Sequence, residues 1–209
     1  VDDATDEMLW WLHKQQRRGT YGDGIAYGYW YSPHEVHVSF TGAATEAFEI
    51  NGHCLSGDPE EDPYVDTVQR GLNYLFNQFH TYSISQDPTY CPLGDPDTNG
   101  NGVGLACYDH RQMYDTGTAL MAISSSQTPD EIAKTGSANV KGRAYKDIAQ
   151  DMVDFIAWGQ SDPYTGAYEG GWRYSANYGQ SDNSVSQWPV IGMEAAERNY
   201  GEFGLIIPD

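Results

Sequence analysis

In the stretch 63-PYVDTVQRGLNYLFNQF-79, apolar residues at 65, 68, 72, 75, 76 and 79 recur at the spacing of one helical face. Asp62 stands where an N-cap belongs, and Pro63 takes the first helical position, where a missing N–H costs nothing. Two other segments carry the same pattern: 4-ATDEMLWWLHKQQ-16, and 143-RAYKDIAQDMVDFIAWGQ-160 with Ile148, Met152, Phe155 and Ile156 on one side. An amphipathic helix must bury its stripe against a neighbour. Three of them in one chain predict a repeated helical unit.

Each of these outer helices is followed by a Gly- and Tyr-rich loop and then by a helix of different character. These are 33-PHEVHVSFTGAATEAFEI-50, 110-HRQMYDTGTALMAISSS-126 and 183-NSVSQWPVIGMEAAERN-199. Ser32, Pro33 and Glu35 form a capping box that predicts the start of the first. Small residues at Thr41-Gly42-Ala43-Ala44, Thr116-Gly117-Thr118-Ala119 and Gly192 allow close approach and predict inner helices, with Pro189 bending the last. A short extra helix is expected from the capping box 128-TPDE-131. Strand signals are weak. The expectation is one domain over 1–209, all-α, made of three antiparallel helical hairpins joined by long Gly/Tyr-rich loops.

The run 158-WGQSDPYTGAYEGGWRYSANYGQSDNSVSQWPVIGMEAAE-197 resembles the repeat of the prenyltransferase and squalene-oxidase-repeat group, whose members share the α/α toroid of terpenoid cyclases. The resemblance rests on Gln160, Gly170-Gly171-Trp172-Arg173-Tyr174, and Asp182 with Ser184, Gln187 and Trp188; 16-QRRGTYGDG-24 and 115-DTGTALMA-122 echo it more faintly. It implies an α/α toroid arc, with Trp172 folded under a helix end and Gln160 bridging helix termini as structural staples. A full ring in that group needs about twice as many hairpins. The chain is therefore expected to be part of a larger ring or chain, completed by further sequence, by a second copy of itself or by another chain.

The charge balance narrows the partners. Thirty acidic residues against 11 basic give a net charge of −19, which disfavours nucleic acid and anionic membranes. No apolar run approaches the ~20 residues of a membrane span. Abundant Tyr, Trp, Gly and Asn, with only four lysines (14, 134, 141 and 146), point to an extracellular or cell-surface protein. Of three cysteines, Cys91 and Cys107 bracket a polar loop that a disulfide would staple, leaving Cys54 over; the alternative is three reduced thiols.

Catalytic machinery is hard to find. The Asp-x-Asp-Asp acid of cyclases is absent, since 182-DNSV-185 and 115-DTGT-118 each keep one carboxylate, and no inner helix carries a cysteine for a prenyltransferase zinc. Polar groups do gather at the inner-helix starts: His34, Glu35 and His37; Asp109, His110, Tyr114 and Asp115; Asp182, Gln187 and Trp188. Of these His37, Asp115 and Asp182 are the catalytic candidates, and His34, His37 and Asp115 could share a metal. Carboxylates favoured by helix dipoles and ordinary surface histidines explain the same pattern.

The loop 95-DPDTNGNGVG-104 offers a sharper signal. With Asp95 at position one, Asp97 falls at three, Asn99 at five, Gly100 at six and Asn101 at seven, the opening of an EF-hand-like calcium loop. Position seven normally donates its backbone carbonyl. Position twelve is Ala106, so a closing ligand must come from outside the motif, with Asp109 nearest and Asp87 another choice. Calcium through Asp95, Asp97, Asn99, Asn101 and Asp109 is the expectation; a plain Asx-turn loop is the competing reading. Functionally the sequence points to a secreted or cell-surface, calcium-stabilised, non-catalytic module for binding or assembly. The alternative is a terpenoid- or glycan-processing enzyme with its site at the mouth of the ring.

Overall fold

The computed structural model describes residues 2–34, 37–84, 94–108, 111–161, 166–198 and 202–208. Its elements run α1 (Asp2–Gln15), β1 (Arg17–Thr20), β2 (Ala26–Tyr29), α2 (His37–Glu49), α3 (Pro63–Phe76), β3 (Phe79–Ser83), β4 (Val103–Cys107), α4 (Gln112–Ser125), α5 (Tyr145–Trp158), a single 3-10 turn at Gly166–Tyr168, and α6 (Asn183–Glu197). The six expected helices are present within a few residues of their predicted bounds. Asp62 caps α3 as read from the sequence, its side chain accepting from the Tyr64 N–H at 2.8 Å.

The expected all-α toroid arc is corrected by the two sheets. Helix makes up 46% and strand 11%, a mixed α/β fold in which β1 pairs with β2 and β3 with β4, both antiparallel. The physical reason lies in the glycine–tyrosine loops. Gly19 stands opposite Tyr27 in the β1–β2 register, and a Cβ on Gly19 would lie 2.6 Å from the Tyr27 ring, so the missing side chain makes room for the aromatic that covers it. Gly24, at φ +86°, turns the hairpin. Strand β4 is buried along Gly104–Cys107 and packs on α5; a Cβ on Gly104 would meet Phe155 at 3.0 Å. Pairing with β3 and packing on that helix together make VGLAC a strand.

The extra helix expected at 128-TPDE-131 is also absent. That segment forms a single turn, the Glu131 N–H donating to the Thr128 carbonyl at 3.1 Å, before Ile132 bridges to Ala144, and the carbonyls of Glu131 and Pro129 accept the Tyr145 and Lys146 N–H groups, each at 2.9 Å. It thus satisfies orphan donors at the start of α5, whose N-cap Ala144 has no side chain able to do so. The predicted capping box at Ser32 takes another form. Ser32 Oγ accepts from the His34 N–H and the helix begins at His37, while Glu35 lies outside the described residues.

The inner helices lie side by side, with α4 between α2 and α6. Contact is backbone to backbone: a Cβ on Gly42 would lie 2.7 Å from the Thr118 carbonyl oxygen, and one on Gly192 2.6 Å from that of Gly117. One hydrogen bond recurs in all three hairpins. The backbone N–H at the end of each loop donates to a hydroxyl on the inner helix: Trp30 to Thr41 (3.2 Å), Cys107 to Thr116 (3.1 Å) and Trp172 to Ser186 (3.0 Å). In the first and third hairpins the same residue's indole N–H caps the outer helix, Trp30 on the Leu12 carbonyl and Trp172 on that of Ile156, both at 2.8 Å. Gln16 joins the first hairpin to the next by donating to the Thr67 carbonyl at 2.8 Å, whereas Gln160 bonds Gly170 in its own loop.

Candidate functional site

The polar loop between β3 and β4 is shaped by its own side chains. Asp95 Oδ1 accepts from the Asp97 N–H at 2.9 Å. Asp97 takes the Asn101 N–H on Oδ1 (3.2 Å) and the Gly102 N–H on Oδ2 (2.7 Å), and Asn99 Oδ1 also accepts from Asn101 at 3.1 Å. Gly100 adopts φ +69°, the sharp turn expected at position six of a calcium loop. Asn101 faces elsewhere, its Oδ1 held by the Val103 N–H and its amide by α5, so its contribution to any cation falls to the backbone carbonyl. Asp109, the expected closing ligand, and Asp87 lie outside the described residues.

Two residues that the motif did not reveal anchor this loop. On α5 the buried carboxylate of Asp151 accepts from the side-chain amides of Asn99 (2.8 Å) and Asn101 (2.9 Å), and from Arg143 at 2.6 Å on its other oxygen. One turn further on, Asp154 accepts from the Thr98 hydroxyl at 2.8 Å and from Gln150 at 2.9 Å. Its Oδ2 is buried without a hydrogen-bond partner, and burial lifts the carboxyl to about 6 against the pull of the bonds from Gln150 and from the side chain and backbone of Thr98. The sequence signal was partial: Asp151 borders the apolar face of α5 that Ile148, Met152 and Phe155 define, whereas Asp154 falls off that face and reads as a solvent-side acid.

All these donors are oxygens, and an oxygen accepting one N–H keeps a lone pair for a metal. The set suits a hard cation. Among the described residues no group of three or more His, Cys, Asp and Glu is placed to hold a metal ion. Two carboxylates, an amide oxygen and a backbone carbonyl do not constitute such a group, so the loop stands on its own geometry.

The catalytic candidates all make contacts that hold the scaffold together. His37 accepts the Ser32 N–H on Nδ1 at 3.0 Å between the rings of Tyr29 and Tyr31. Asp115 is buried and accepts from the Ser39 hydroxyl, tying α4 to α2. Asp182 is the N-cap of α6, accepting from the Ser184 N–H at 2.8 Å and pairing with Arg173; bonds from the Ser184 side chain and backbone hold its carboxyl below the ordinary carboxylate value. No disulfide is found among the described residues. Cys54 and Cys107 are both buried, and Cys91 lies outside the described residues. No helix among them is long and apolar enough to cross a membrane.

At the opposite ends of the inner helices, a pocket of ≈ 250 Å³ is walled by residues from α2, α4 and α6 or just beyond them, among them Glu49, Ser124 and Arg198. Glu49 is 1% exposed, and burial, reinforced by Glu46, pushes its carboxyl well above 4.5. The sequence hint was a lone acid within the apolar run Ala47-Phe48-Glu49-Ile50. Comparisons with known protein families, with curated proteins and with solved structures find no match. Function is argued from these residues.

Proposed function

We propose that the chain is a secreted or cell-surface module for binding or assembly, without catalysis, in which calcium stabilises the loop between β3 and β4. The observation that carries this reading is the clamp of Thr98, Asn99 and Asn101 on Asp151 and Asp154, which docks an all-oxygen loop on a core helix. Asp95, Asp97 and Asn99 would hold the ion through side-chain oxygens and Asn101 through its carbonyl, with Asp109 closing the site. Bound calcium would neutralise part of the −19 charge and stiffen a segment that little apolar burial supports. Partner surfaces are supplied by exposed apolar side chains, Trp10 and Trp11 on α1 and Phe40, Val190 and Ile191 on α2 and α6. A second copy of the chain, or another chain, would pack there.

Calorimetry and thermal unfolding in calcium and in chelator test the metal. An affinity of about 10⁻⁴–10⁻³ M is expected, the range of extracellular modules. At about 100 times the Kd, ~2.7 kcal/mol of stabilisation follows, a rise in Tm of roughly 5–10 °C for a chain of this size. Asp97→Asn is expected to abolish the rise. No binding at millimolar calcium, with Cys91 and Cys107 oxidised, overturns the reading.

A further inference from the structure

The pocket at the C-terminal ends of α2, α4 and α6 is built from groups that lack partners. Both carboxylate oxygens of Glu49 and the hydroxyl of Ser124, 2% exposed, are buried with no hydrogen-bond partner, although buried polar atoms are ordinarily paired. Three helix C-termini meet here, each carrying the negative end of its dipole. None of the three helices has a basic residue in its last turn. Arg198, the C-cap of α6, reaches the pocket wall but pairs with Glu194. Glu46 adds a second acid beside Glu49.

A cation is the complement of such a surface, and the wall narrows the choice. One carboxylate beside Ile50 and Ala195 gives a metal ion too few hard ligands, while an organic cation finds both a charge and an apolar contact. A primary ammonium has three donors. Glu49 and Ser124, which both line the pocket, carry three buried acceptors between them, two on Glu49 and one on Ser124.

We propose that this pocket binds a small organic cation through a primary ammonium head held by Glu49 and Ser124, with its short carbon tail against Ile50 and Ala195. Burial favours a protonated Glu49, so the arriving ammonium displaces the carboxyl proton to solvent and binding tightens as pH rises. The other titratable and charged groups around Glu49 are Glu46 on its own helix, Cys54 beyond it, Tyr145 on α5, and Arg198 at the end of α6, itself paired with Glu194.

The test is a titration of the full chain with ethylammonium chloride, using sodium chloride at equal ionic strength as reference and reading heat and Tm. A saturable response specific to ethylammonium is expected, lost in Glu49→Gln and weakened about tenfold in Ser124→Ala, as for one bond to a charged group. Equal responses to the two salts, or a full response in Glu49→Gln, overturn the proposal. Should circular dichroism show Glu49→Gln unfolded, unchanged affinity in Ser124→Ala overturns it instead. Titrations run both with calcium and with chelator keep this result independent of the calcium reading.

Discussion

Replacing Gly117 with alanine tests the claim that the inner helices touch backbone to backbone. A Cβ at 117 would lie 2.5 Å from the Trp188 carbonyl oxygen and 2.7 Å from the Pro189 nitrogen. Ordinary contact needs roughly 1 Å more. The obstructing atoms are main chain and cannot rotate aside, so α4 and α6 must separate. Helix α4 cannot simply retreat, because its Thr118 carbonyl is already against Gly42 of α2. Overpacking of this kind costs about 1–3 kcal/mol, and both flanks being closed places the cost at the upper end. Alanine returns about 1 kcal/mol through helix propensity. The expected net loss is ~2 kcal/mol, a fall in Tm of roughly 4–8 °C, read by thermal and urea unfolding. Gly22→Ala is the control, since open space surrounds that position, and its change should stay within about 0.5 kcal/mol. A Gly117→Ala protein as stable as its parent, with Gly22→Ala unchanged, refutes the packing argument.

Two further outcomes follow from buried polar groups. Above pH 4.5 the unfolded chain's glutamate loses its proton while folded Glu49 retains it, so the folded state binds more protons and this contribution to stability declines as pH rises through the folded value. The slope reaches at most about 1.4 kcal/mol per pH unit. Glu49→Gln removes that slope, so its stability relative to the parent should climb from about pH 4.5 towards neutrality; a gap that stays flat across that range in denaturant titrations refutes it. Thr116→Val keeps the shape of the side chain but removes the hydroxyl that accepts the buried Cys107 N–H. A loss of about 1–3 kcal/mol is expected. A neutral result in urea unfolding means the recurring loop-to-helix bond does not hold the hairpin.

The helices were legible because their signals are local. Asp62-Pro63 starts α3 whatever surrounds it, and the apolar spacing of 65, 68, 72, 75 and 76 defines its buried face. The turn at Gly100 was legible for the same reason, since its position within the motif demands positive φ. Segments whose conformation depends on distant partners were not. VGLAC becomes a strand because α5 and β3 cover it, and TPDE forgoes its helix because the N–H groups of α5 claim its carbonyls.

The candidate sites divide along the same line. The loop's oxygens could be counted from spacing, but Asp151 and Asp154 lie 50 and more residues from the side chains they hold, and only folding brings them under the loop. Glu49 and Ser124 read separately as an acid and a hydroxyl on two helices. Parallel packing of α2, α4 and α6 makes them neighbours in one pocket. The sequence by itself determined the helices, their caps and the loop's turn, because backbone propensity and side-chain capping act over a few residues. Tertiary structure alone decided which polar groups are buried and what faces them, because desolvation depends on contacts made across the whole chain.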